Sequence, residues 1–123
     1  MARLGCCVVL AGFLAVSFLL PQAALADCAE QISKLMSRDT EKLTTRYNKI
    51  AKQAEQHASP KLIQEECRIA RQLKPRLEDQ IAALKQSGCA KDPAVGNMVA
   101  DIMRGHEDDL AAAAKTATRS ECR

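Results

Sequence analysis

The chain has 123 residues, 18 basic and 15 acidic, and 47% hydrophobic residues with very few aromatics. That allows one small domain. The near-balanced charge excludes a nucleic-acid binder of the strongly basic kind, and an aromatic complement of one Tyr, two Phe and no Trp excludes base-stacking platforms and aromatic cages.

The chain begins as an address label. Arg3 precedes an apolar run from Leu4 to Leu20, Pro21 follows, and Ala24-Leu25-Ala26 supplies an A-x-A site. Residues 1–26 therefore read as a secretory signal cleaved after Ala26. An uncleaved anchor is the competing reading, because the run approaches the roughly 20 apolar residues a span requires. Cleavage removes Cys6, Cys7, Phe13, Phe18 and Arg3, and leaves no stable membrane anchor. Lipidation of Cys28 is disfavoured, since Asp27 stands between it and the small residues.

The remainder, 27–123, reads as one all-α domain, an elongated antiparallel three-helix bundle with helices at about 28–57, 60–87 and 93–119. The first starts at Asp27 and Glu30, which have capping-box spacing, and carries Ile32, Leu35, Met36, Leu43, Tyr47, Ile50 and Ala54 at mostly three- and four-residue intervals. Ser59-Pro60 opens the second as N-cap and first helical residue. Ile63, Ala70, Leu77 and Leu84 recur there at sevens, with Cys67, Leu73 and Ile81 between them. Pro75 predicts a kink near Arg71 to Lys74, and Gly88 suits the C-terminal end. Asp92-Pro93 opens the third helix, whose stripe is Val95, Met98, Val99, Ile102, His106, Leu110, Ala113 and Ala117.

Cys28, Cys67, Cys89 and Cys122 form an even set in an exported chain, which reads as two disulfides. Along one helix Cys67 and Cys89 are about 33 Å apart, far beyond the roughly 7 Å that a bridge tolerates. Short loops set Cys28 level with Cys89 and bring Cys122 toward Cys67. The expected bridges are therefore Cys28–Cys89 and Cys67–Cys122, with a frayed tail after Thr118 absorbing about 10 Å of overshoot.

Site motifs are sparse. Cysteine and histidine spacing gives no zinc pattern, and the usual hydrolase, zincin, phosphate-loop and calcium-loop motifs are absent, so no enzyme and no cofactor is expected. Asp101, His106 and Glu107 could act as ligands or acid/base groups, but they fall on different helix faces. Met98, Met103 and His106 are weak candidates for soft-metal ligation, with Met36 at a similar level. His57 lies too far away to contribute.

The functional expectation is a periplasmic or secreted helical protein that binds an unknown protein partner through the charged faces of its first two helices. The alternatives are a stress-type chaperone that exposes its apolar stripes through a His106 trigger, and a copper-binding protein. The heptad-like stripe of 60–87 would also suit a homodimer.

Overall fold

A computed structural model describes the backbone from residue 20 and the side chains from residue 28 onward. The expected leader and its cleavage site lie outside that region, apart from the backbone of 20–26. Among the described residues the chain is all-α, with no strand. Four helices are present: α1 (Leu20–Leu35), α2 (Arg38–Gln56), α3 (Pro60–Ser87) and α4 (Gly96–Ala117). Single 3₁₀ turns follow α3 at Cys89–Lys91 and α4 at Ser120–Cys122.

The first predicted helix is therefore two helices. Residues 37 to 42, Ser-Arg-Asp-Thr-Glu-Lys, contain no apolar side chain to hold a turn onto a core. Ser37 takes extended backbone and its hydroxyl accepts from Thr40 N, which starts a new helix with Asp39 and Glu41 in its first turn. Asp27 is not an N-cap, because α1 already runs through it from Leu20.

The next start follows expectation: Ser59 accepts from Leu62 N, and Pro60 opens α3. The helix assignment runs unbroken through Pro75. Pro75 and Arg71 are both exposed, so the carbonyl that loses its partner faces water, which lowers the cost of proline there. Gly88 ends α3 in the left-handed conformation at φ 69°. Asp92 organises the next turn, its carboxylate accepting from Ala94 N and Val95 N, but regular α4 begins at Gly96. A Cβ there would lie 2.6 Å from the Ala90 carbonyl oxygen, so the close approach of the two backbones requires glycine.

α3 is the spine. Ile69, Ala70, Leu73, Leu77, Ile81 and Leu84 are buried along it, and α1, α2 and α4 all pack against it. The core has two parts. Near the start of α3, Tyr47 of α2 meets Ile69, Ala70, Leu73, Leu77 and Ala113. Near its end, Ile32 of α1 meets Leu84, Cys89 and Val99. Each part has a disulfide: Cys28–Cys89 with Cα atoms 5.6 Å apart, and Cys67–Cys122 at 5.4 Å. These are the pairs that helix rise selects. The tail that reaches Cys67 is a hydrogen-bonded 3₁₀ turn rather than a frayed end, with Cys122 N donating to Arg119 O.

Candidate functional site

Two surface features stand out, and α2 contributes to both. On its outer face Arg38, Lys42, Lys49 and Lys52 recur with helical spacing, with Thr45 among them and Arg46 at one edge. From Arg38 to Lys52 the stripe spans about 21 Å. All four cations are exposed and make no ion pair among the described residues. Arg46 differs, because it and Arg68 both donate to Glu65. The Arg68 hydrogen bond, with Arg46 adding to it, holds the Glu65 carboxyl below its ordinary value. An open groove of about 680 Å³ runs along this face, bordered by Arg38, Lys42, Arg46 and Lys49, with Glu41 as its acidic member.

The second feature is a cavity of about 200 Å³ at the junction of α1 and α2, where they cross the spine. Met36, Ser37 and the α2 residues Thr40, Glu41, Thr44 and Thr45 line it together with Gln80 of α3 and His106 and Asp109 of α4. Gln80 Nε2 donates to Leu35 O at 3.0 Å and so closes the end of α1. Its Oε1 and the His106 Nε2 are buried without a hydrogen-bond partner. Burial holds the His106 imidazole below its ordinary pKa, with Asp109 pulling the other way. Burial also pushes the Asp109 carboxyl up, against the attraction of His106.

The metal candidates do not converge. Met98 is 48% exposed, Met103 packs against the Ile32, Leu84 and Val99 core, and His106 faces the cavity with Met36. Among the described residues no group of three or more His, Cys, Asp or Glu could hold a metal ion. Asp101 pairs with Arg104 and Glu107 with Lys85 on the surface. The four cysteines among the described residues are held in bridges. His57 caps the end of α2 through its backbone N–H.

Sequence reasoning missed four buried polar groups, the Tyr47 hydroxyl, Thr116, Glu66 and Thr40. Tyr47 donates its hydroxyl to Ala112 O at 3.1 Å or shares a 2.6 Å bond with Thr116. Glu66 is buried and pairs with Arg119 at 2.6 Å, and this bond holds the Arg119 guanidinium above its ordinary value. Thr40 is buried at the start of α2. Compared with known protein families, curated proteins and solved structures, the chain matches none.

Proposed function

We propose that this is an exported helical protein that works by binding, and that the outer face of α2 is its contact surface for a protein partner with an acidic patch. The observation that carries this reading is the stripe of Arg38, Lys42, Lys49 and Lys52, four exposed cations on one helix that make no ion pair among the described residues. Grouped like charges raise the local potential, steer an oppositely charged partner and favour its register. Two disulfides, and no helix among the described residues long and apolar enough to cross a membrane, fit an oxidising compartment reached by export.

The stripe contains no large apolar residue that could insert into lipid, which favours a protein surface over a bilayer. Met36 and Met98 are the exposed large hydrophobics among the described residues. The chaperone alternative would therefore require the packed stripes of α3 and α4 to open. Copper binding would require Met98, Met103 and His106 to leave their present faces.

The test is capture from the exported fraction with oxidised protein, comparing the native chain with Arg38→Glu/Lys42→Glu/Lys49→Glu. A specific partner should be retained by the native chain, released by salt and lost with the triple variant. Equal capture by both would overturn the assignment of this face.

A further inference from the structure

The cavity at the α1–α2 junction has a polarity that its residue types alone do not reveal. The Thr44 hydroxyl donates to Thr40 O at 2.9 Å and the Thr45 hydroxyl to Glu41 O at 3.0 Å. Their protons are spent on their own helix, so both oxygens present lone pairs. Gln80 has committed an amide proton to Leu35 O, and the buried oxygen it retains is an acceptor only. Glu41 and Asp109 add carboxylates, and none of the described lining residues is Lys or Arg. A neutral imidazole carries one proton, and with that proton on Nδ1 the unpartnered His106 Nε2 is a further acceptor. The Ser37 and Thr40 hydroxyls and the second Gln80 amide proton are the remaining donors. The two carboxylates tip the balance toward acceptors around a space large enough for about six waters or one short organic molecule.

We propose that this cavity binds a small organic cation, with an ammonium group donating its N–H bonds among Asp109, Glu41, Gln80 Oε1 and His106 Nε2. The complementarity is specific. An ammonium brings donors and no acceptor, its charge is matched by two carboxylates, and a buried acceptor left unpaired costs about 1–3 kcal/mol, which such a ligand recovers. A metal fits less well, because Glu41, His106 and Asp109 all line the cavity but do not form a group that could hold a metal ion, whereas the N–H donors of an extended amine can reach such acceptors separately. An anion would meet the two carboxylates. The N-terminus of α2 carries positive partial charge nearby, but Ser37 caps it and Asp39 and Glu41 in its first turn offset that field.

Putrescine and methylammonium, titrated calorimetrically into the oxidised protein with acetate and Zn(II) in parallel, test the proposal. The amines should bind saturably and acetate should not. Asp109→Asn should weaken amine binding at least tenfold while circular dichroism and the thermal midpoint show that the helices persist. Asp109 is the discriminating position, since Glu41 also borders the cationic groove. On the native protein, putrescine should shift the NMR signals of the His106 imidazole ring, a readout that needs no variant to fold. No saturable amine binding, undiminished affinity in Asp109→Asn, or Zn(II) binding with the amines silent would each overturn the assignment.

Discussion

At the α1 end of the spine, Ile32, Leu84, Val99 and Cys89 form a core of aliphatic carbon and one bridge. The α2 end is built differently. Tyr47 is buried against Ile69 and Leu73 and anchors its hydroxyl on α4, while Glu66 fixes Arg119 beside the second bridge. The contrast follows from what each helix contributes. α2 has 19 residues, its own N-cap and an aromatic anchor, whereas among the described side chains α1 buries Ile32 fully and Cys28 and Leu35 in part. Helical stability in a folded chain comes mostly from packing of the apolar face, so with these few anchoring side chains α1 depends on its covalent tie more than α2 does.

The largest effect should come from the bridges. Each spans a similar separation, 61 residues for Cys28–Cys89 and 55 for Cys67–Cys122, so each should contribute about 4 kcal/mol in the chain-entropy model. The comparison predicts different local consequences. In native-state hydrogen exchange, Cys28→Ser/Cys89→Ser should release the whole described part of α1, while Cys67→Ser/Cys122→Ser should free only the turn after α4. Equal loss of protection in α1 and α2 in both variants would break the distinction.

Next in size is Tyr47. Tyr47→Ala should cost about 3–5 kcal/mol in urea denaturation, from lost aromatic volume in the core. Tyr47→Phe, which keeps the ring and removes the hydroxyl, should cost about 1 kcal/mol. An unchanged midpoint in Tyr47→Phe would mean that the Tyr47 hydroxyl adds nothing to the packing that holds α2.

The smallest effect belongs to the junction between the two ends. His106 is held below its ordinary value of 6.5 by burial, so between that value and its folded pKa the unfolded chain binds more protons. Stability should fall as pH drops through this window and level off below the folded value. Asp109 acts oppositely: its raised folded value means that stability contributed by its proton declines as pH rises above 3.8. Denaturation midpoints of the native chain, His106→Gln and Asp109→Asn across this range should separate the two slopes. Parallel curves for all three would show that neither group is coupled to folding.

Features governed by local spacing were legible. The helical class, the buried seven-residue recurrence of α3, the Ser59-Pro60 start and the left-handed Gly88 follow from periodicity and backbone chemistry. The cysteine pairing needed helix rise as a ruler and short loops that make consecutive helices antiparallel. The break at Ser37 was also written in the chain, as six consecutive polar residues between Met36 and Leu43, but the apolar spacing on either side spans the gap and conceals it. Burial of Glu66 depends on Arg119 arriving from the far end of the chain, which no local pattern encodes. The cavity requires Gln80, His106 and the α2 threonines to meet across three helices, and its acceptor character emerges only once each hydroxyl proton has been traced to a carbonyl.

The bridges interlock: Cys67 lies inside the loop closed by Cys28 and Cys89, while Cys122 lies beyond it. On a chain threaded N-terminus first into an oxidising compartment, as proposed, Cys28 and Cys67 emerge before either native partner. An oxidant that joins thiols in order of arrival makes Cys28–Cys67, a bond the folded protein does not contain. Reaching the native arrangement then requires thiolate attack on that bond and exchange, so maturation of this small helical domain should depend on a disulfide isomerase rather than on an oxidant alone.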